Sequence, residues 1–187
     1  MKQIELVIIG GSAGSLDVIL KTVSKLNSSF NLPLVIVIHR KKTSNSSLVS
    51  LFSHRTGIPV KEVDEKDQIL SRYIYLAPAD YHLLIENDRT FSIDSSEKIH
   101  YSRPSIDVTF QSAAETYKDR LACILVSGAN ADGTNGLRTV KNWGGITAVQ
   151  NPATAEVSFM PGNALTHVQI DHVLEAEEIP AFINNLP

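Results

Sequence analysis

Two stretches of the chain, IELVIIG (4–10) and PLVIVIH (33–39), are almost unbroken runs of apolar, largely β-branched residues. Strands covered on both faces read this way because no position in them meets water, and such strands belong to parallel sheets. Between them Leu16, Ile19, Leu20, Val23 and Leu26 recur at the three- and four-residue spacing that places side chains on one face of a helix. The pattern predicts a βαβ unit with its crossover helix over residues 13–27. LACILVSG (121–128), GITAVQ (145–150) and HVLEAEEI (172–179) predict further strands, and TNGLRTVKNWG and MPGNALTHVQ predict helices ended by glycine or by short loops. The middle of the chain has a different texture. YIYLAP, HLLIEN and TFSID are short apolar segments separated by turn residues, so residues 72–95 predict an antiparallel meander inserted in, or flanking, an α/β sheet. The charged EVDEKD (62–67) reads as a solvated loop.

Composition narrows the class. At 187 residues and 43% hydrophobic content the chain fits one domain, 1–187, able to bury a full core. The net charge of -3 is mild, and Lys and Arg are scattered except in HRKK (39–42), so the electrostatic footprint of a nucleic-acid binder is missing. No apolar run reaches the roughly 18 residues of a spanning helix, and the N-terminus lacks the flanks of a signal peptide. The expectation is a soluble, cytoplasmic protein with no direct membrane insertion. The one cysteine, Cys123, lies inside an apolar run and reads as a buried structural thiol, which leaves no disulfide framework and no cysteine-rich metal site. His54, His82, His100, His167 and His172 are dispersed without metal-ligand spacing and read as structural or solvent-facing. Neither a metal nor a cofactor is expected.

Candidate chemistry begins at Gly10-Gly11-Ser12-Ala13-Gly14-Ser15, which matches G-x-S-x-G. Small neighbours there permit a tight strand-to-helix turn that exposes a serine hydroxyl beside helix N-terminal amides. The competing dinucleotide fingerprint fits poorly, because Ser12 stands where the second glycine should be and the next strand ends in His39 rather than an acid. Taken alone, the motif is equally compatible with a structural turn. Position adds weight, since functional groups of open α/β sheets gather at the carboxyl ends of strands. Ser12 ends the first strand, His39 ends the second, and Asp132 follows the strand LACILVSG in the glycine-flanked loop ANADGTNGL. Serine, histidine and aspartate form the set needed for a base-activated hydroxyl. Each also has a plain structural reading: His39 as a satisfied strand-end histidine, Asp132 as a helix cap. The chain order Ser, His, Asp matches none of the three familiar triad arrangements.

Beside the serine turn and His39, the chain carries VKEVDEKD, YLAPADYH, SRPSIDVTF, SGANADGTNGL and AVQNPATAEVSFMP. In this order and spacing the blocks resemble the catalytic domain of the bacterial chemotaxis protein-glutamate methylesterases, the CheB type, over essentially the whole chain. The resemblance implies a doubly wound, mainly parallel sheet with an antiparallel hairpin. It implies a serine hydrolase that removes methyl esters from receptor glutamates, and that also deamidates certain receptor glutamines. It puts the nucleophile on Ser12, the base on His39, the orienting aspartate on Asp132, and backbone oxyanion donors near Ala13 and Ala129. The sequence departs from the family at Ala13, at SGANADG, and at RKKTSN after His39, where Arg40, Lys41 and Lys42 would form a basic substrate rim. The implied partners are methylated cytoplasmic helices of chemoreceptors. Family members usually carry an N-terminal receiver domain, which these 187 residues do not contain, so control by a separate signalling kinase or receiver protein is one expectation. A catalytically silent domain that docks on receptor helices or a kinase is the alternative function, and nucleotide binding at the glycine turn is a third reading.

Overall fold

The structure is a computed structural model that describes residues 3–40 and 48–187. Its elements run β1 (Leu6–Gly11), α1 (Ser15–Ser24), β2 (Leu34–Ile38), α2 (Leu48–Ser53), β3 (Val60–Glu62), β4 (Ile74–Leu76), β5 (His82–Ile85) and β6 (Phe91–Asp94). They continue with α3 (Ile106–Tyr117), β7 (Leu121–Leu125), α4 (Thr134–Asn142), β8 (Ile146–Gln150), α5 (Phe159–His167), β9 (His172–Leu174) and α6 (Ile179–Asn184). Seven strands form one parallel sheet in the order β3-β4-β2-β1-β7-β8-β9. The apolar runs are its central strands: every residue of β1 and of β7 is buried, as continuous hydrophobicity requires of strands covered on both sides.

Alternation along these strands splits the core into two layers. Leu6, Ile8, Val35, Val37, Cys123 and Leu125 face α3, α4 and α5 through Ile106, Phe110, Leu137, Val140, Met160 and Ala164. Val7, Ile9, Leu34, Ile36, Ala122 and Ile124 face α1 and α6 through Val18, Ile19, Val23, Ile179 and Ile183. Right-handed crossovers explain the division. The connection from β1 through α1 moves one way along the sheet to β2, the connection from β7 through α4 moves the other way to β8, and the two helices therefore land on opposite faces. The direction of winding reverses between β1 and β7, which opens a crevice at their carboxyl ends.

The expected βαβ unit is present with α1 over residues 15–24. The expected meander divides. β5 and β6 pair antiparallel as a hairpin, whereas the first of the three segments, β4, pairs parallel with β2 and β3 in the main sheet. Ile74, Tyr75 and Leu76 are all buried, and only a sheet position covered on both faces shields all three. The expected strand at 172–179 stops at Leu174, and Ile179 begins α6. Of EVDEKD, Glu62 ends edge strand β3 and the remainder is loop. Cys123 is fully buried in β7, and burial pushes its thiol well above the ordinary range, as expected of a structural cysteine.

Helix α3 is not among the elements predicted above, yet it decides the shape of the crevice. Ile106, Phe110, Ala113, Ala114 and Tyr117 lie on its buried face, and its first turn crosses the end of β1. The crossing is so close that a Cβ on Gly10 would stand 2.5 Å from Ile106 Cγ2 and 3.2 Å from Phe110 Cζ. Gly10→Ala is therefore expected to overpack this contact and lower stability by about 2 kcal/mol, a loss of about 4–8 °C in Tm for a chain of this size. An unchanged Tm in thermal unfolding would show that α3 can shift away from β1 without cost.

Candidate active site

The parallel register of β1 and β2 pairs Gly11 with Ile38, and the ladder runs one step further, with His39 N–H donating to Gly11 C=O at 3.1 Å. Ser12 and His39 are thus the next neighbours in register. By alternation from Gly10 and Val37, both belong to the α3 side of the sheet. Beyond Ser12 the chain turns sharply into α1. Gly14 takes φ +74°, and a Cβ there would meet Ser127 Oγ at 2.8 Å and Glu156 Cβ at 2.6 Å, so only glycine completes the turn without strain. Ser15 N–H and Oγ–H both donate to Ser12 C=O, at 3.1 and 2.6 Å. Ser127 Oγ–H donates to Ala13 C=O at 2.7 Å. Among the described residues the N–H groups of Ala13 and Ala129 make no intramolecular hydrogen bond, which leaves both as donors for an incoming oxygen.

Asp132 is the anchor of the crevice. Its side chain is wholly buried and accepts from five donors: His39 Nε2–H at 2.7 Å, Ile106 N–H at 2.7 Å, Ser105 Oγ–H at 2.9 Å, Asp107 N–H at 2.9 Å and Gly133 N–H at 3.1 Å. Two of these are first-turn amides of α3, where the helix dipole favours negative charge. Burial by itself would raise the carboxyl pKa. The His39 hydrogen bond and the Asp107 and Ile106 amides outweigh it and hold Asp132 below the ordinary carboxylate range.

With Nε2 bound to Asp132, the neutral imidazole presents its lone pair at Nδ1, the reverse of the arrangement in which the aspartate holds Nδ1. Ser102 Oγ lies 3.1 Å from that nitrogen. The same hydroxyl receives the side-chain amide of Asn130 at 3.5 Å, and Asn130 Oδ1 accepts Asp132 N–H at 3.2 Å. Ser102, Ser105, Asp107 and Asn130 are the site residues that the sequence reading missed. The available signal was the helical spacing 106, 110, 113, 114, 117 behind Ser105, whose side chain caps α3 by accepting from Val108 N–H. His82, read as structural, is buried and does support the site: Nδ1 accepts Ser105 N–H at 3.1 Å and Nε2 donates to Glu97 C=O at 2.9 Å.

The expected basic rim is altered. Arg40 is only 13% exposed in its side chain, is ion-paired with Glu62, and donates to Ala77 C=O at 3.2 Å. It is therefore a wall of the crevice and not a loose surface charge. Lys41 and Lys42 lie outside the described residues. Arg40 instead joins Lys98 and Arg103, with His39, Asp80, Tyr101 and Ser102, in lining a groove of about 410 Å³.

Asp107 stands behind Asp132. Its Oδ1 accepts Gly136 N–H at 2.7 Å and its Oδ2 lies 3.6 Å from His100 Nε2. The ligand-type atoms of His100, Asp107 and Asp132 all fall within 4.8 Å of one another. By distance they could surround a cation, but the Asp132 oxygens are already filled by its donors, so the chemistry fits a hydrogen-bonded support for His39 better than an open ligand set. Burial, and then the charge of Asp132, push Asp107 up to about 6, against the opposing Gly136 N–H and His100. A folded-state pKa above the unfolded value of 3.8 favours folding while the proton is bound, and that contribution is lost as pH rises from about 4 through about 6. Asp107→Asn keeps an acceptor for Gly136 and does not titrate. In urea unfolding, its stability relative to the parent should increase between pH 4.5 and 7.5, by about 3 kcal/mol at most. A pH-independent difference would remove Asp107 as the titrating group.

Known proteins carry the same fold and motifs. Residues 7–183 match the family model described as CheB methylesterase. A Leptospira interrogans relative, provisionally named a protein-glutamate methylesterase/protein-glutamine glutaminase, is 41% identical over 175 residues, covering 94% of this chain and 91% of the relative. A Thermotoga maritima protein-glutamate methylesterase/protein-glutamine glutaminase is 33% identical over 94% of this chain, which spans 52% of that longer protein. The crystal structure of the Thermotoga maritima CheB methylesterase catalytic domain superposes with a TM-score of 0.93 at 30% identity, covering 99% of this chain and 100% of that one. With its sheet order, its serine turn and a family match that runs from β1 into α6, the chain belongs to the CheB methylesterase family.

Proposed function

We propose that this domain hydrolyses methyl esters of glutamate side chains in chemoreceptors through Ser12, His39 and Asp132. The observation that carries the reading is the His39 Nε2 to Asp132 Oδ2 bond of 2.7 Å at the end of β2, in register beside Ser12. Asp132 holds the imidazole as the Nε2–H tautomer, so Nδ1 accepts the Ser12 proton while Oγ attacks the γ-carbonyl carbon. The tetrahedral oxyanion faces the N–H groups of Ala13 and Ala129. As it collapses, the ester C–O bond breaks and Nδ1–H protonates the departing methoxide, which leaves as methanol. Water then gives its proton to Nδ1 and attacks the acyl-enzyme, releasing glutamate and restoring Ser12. With a glutamine side chain the same steps release ammonia, the second activity in the names of the relatives. No step needs a metal or cofactor. The complete set of nucleophile, base and orienting acid lends no support to a catalytically silent docking domain.

Substrate presentation depends on the groove. Arg40, Lys98 and Arg103 line the groove beside His39 with Asp80, and Glu62 pairs Arg40, a mildly basic wall suited to an acidic receptor helix that offers its ester from a convex surface. Contacts to exposed charge act mainly on encounter and fade with ionic strength. Lys98→Glu is therefore expected to raise KM for methylated receptor fragments, and added salt to do the same, with little change in kcat; a fall confined to kcat would place Lys98 in the chemistry.

Ser12→Ala, His39→Ala and Asp132→Asn should each lower methanol release from methylated receptor cytoplasmic fragments by about 10³-fold or more. Full turnover by Ser12→Ala would overturn the nucleophile. Normal turnover by Asp132→Asn would reduce Asp132 to a helix-capping role. If the parent protein reacts with a fluorophosphonate at Ser12 yet frees no methanol from several methylated receptors, the hydrolase reading stands and the substrate reading falls.

A further inference from the structure

The base nitrogen of His39 has one lone pair and two hydroxyl groups that need it. Asp132 takes Nε2, so Nδ1 must accept the Ser12 proton in the hydrolysis proposed for this site, a reading on which the role of Ser102 depends. In the structure, however, Ser102 Oγ stands at 3.1 Å from Nδ1. With Nε2–H given to Asp132, Nδ1 can only accept, so Ser102 is the donor in this bond; His100 C=O, at 3.4 Å, is the longer alternative acceptor for the same hydroxyl proton. Its oxygen in turn receives the Asn130 amide, and donors that also accept make stronger bonds. The bonds form a ring, Asn130 to Ser102 to His39 to Asp132 and back through Asp132 N–H to Asn130 Oδ1.

The backbone that presents Ser102 is held in a demanding shape. Ile99 and Ser102 exchange both backbone hydrogen bonds, at 3.2 and 2.9 Å, across a two-residue turn of His100 and Tyr101. Both central residues have positive φ, +48° and +62°, the form that glycine and asparagine favour and that histidine and tyrosine adopt only under strain. Asn130 Nδ2–H, bonded to His100 C=O at 3.2 Å, pins the turn to the Asp132 loop. Strain held at a site by surrounding contacts is a store that a ligand can release. The tip of the turn is poised to meet one: Tyr101 is 98% exposed, and Lys98, Tyr101 and Ser102 all line the groove beside His39.

We propose that Ser102 is a positioning residue that occupies the base nitrogen of His39 in the resting enzyme and yields it to Ser12 when substrate fills the groove. Its hydroxyl then selects groove-filling protein esters over small ones. A receptor helix seated against Tyr101 and Lys98 can shift the turn that carries Ser102 and free Nδ1. A small ester reaches Ser12 without touching the turn and must compete with the resting bond. Selectivity of this kind comes from coupling binding at one surface to assembly of the reacting groups.

The test compares Ser102→Val with Ser102→Thr, which have nearly the same shape and differ in the hydroxyl. Three rates are measured on the whole chain: Ser12 labelling by a fluorophosphonate, and kcat/KM for a small activated ester and for a methylated receptor cytoplasmic fragment. In Ser102→Val, labelling and small-ester turnover should rise about fivefold, the worth of one neutral hydrogen bond, and the preference for the receptor fragment should fall by about the same factor. Ser102→Thr should return both towards the parent values, which a merely structural role would not produce. Equal behaviour of the two variants, or slower labelling in Ser102→Val, overturns the proposal; if valine unfolds the turn, Ser102→Ala gives the same contrast. Should the parent release no methanol from any receptor fragment, the methylesterase reading fails on its own, and the labelling contrast still decides the role of Ser102.

Discussion

The interaction on which the site depends is the grip of the α3 N-terminus on the Asp132 carboxylate. A fully buried carboxylate with no partners would take up a proton or unfold its surroundings. Here the Ile106 and Asp107 amides, the Gly133 amide, the Ser105 hydroxyl and the His39 imidazole supply the compensation. The bonds act in both directions. They keep the charge, and the charge keeps His39 in one tautomer and one orientation. They also join three distant parts of the chain: β2 through His39, the loop after β7 through Asp132, and the first turn of α3. Loosening any of the three loosens the others.

This explains why close packing in the crevice surrounds these elements and not the Ser12 turn alone. Gly10 lets α3 lie against β1, so that its amides reach Asp132. Gly133 has φ +91°, and a Cβ there would meet Leu125 and Ile106, so the loop that delivers Asp132 is as constrained as the serine turn. His82 holds Ser105 from the hairpin side. A functional constellation is useful when its supports are rigid, and here the supports are one sheet end, one helix end and a hairpin. The His100-Tyr101 turn stands apart from this pattern. It is exposed and strained, and it is attached to the network through Ser102 and Asn130, which is why the proposed response to substrate is assigned to it.

The charge arrangement has the same two layers. Asp132 is depressed by its donors, whereas Asp107, immediately behind it, is raised to about 6 by burial and then by the charge of Asp132. The cations of the groove lie outside this pair. Arg103 bonds Asp80 at 2.8 Å and the Ser95 and Ser96 carbonyl groups, and Arg40 is engaged with Glu62, so both guanidinium groups are fixed parts of the walls.

Much of this was legible from local pattern. Continuous β-branched runs can exist only where both faces are covered, which marked β1, β2 and β7 as buried parallel strands from residue type alone. Parallel strands put their carboxyl ends on one edge, which was enough to place Ser12, His39 and Asp132 together. The family blocks agreed with this and supplied the reaction. What local pattern could not decide were relations between segments with no shared periodicity. β4 resembles the hairpin strands in composition, yet it pairs with β2 because the parallel sheet has an open edge there. Arg40 read as part of a basic rim, and its place in the wall of the groove depends on Glu62, twenty-two residues away, which lies beside it. The orientation of the imidazole, with Nε2 to Asp132 and Nδ1 to Ser102, was decided only when α3 docked on β1 and the 99–102 turn closed over His39. The sequence by itself determined which candidate residues stand at the strand ends, because residue type and strand-end position are local. The tertiary structure decided which nitrogen of His39 meets Asp132 and which meets Ser102, because those are distances between parts of the chain that meet only when folded.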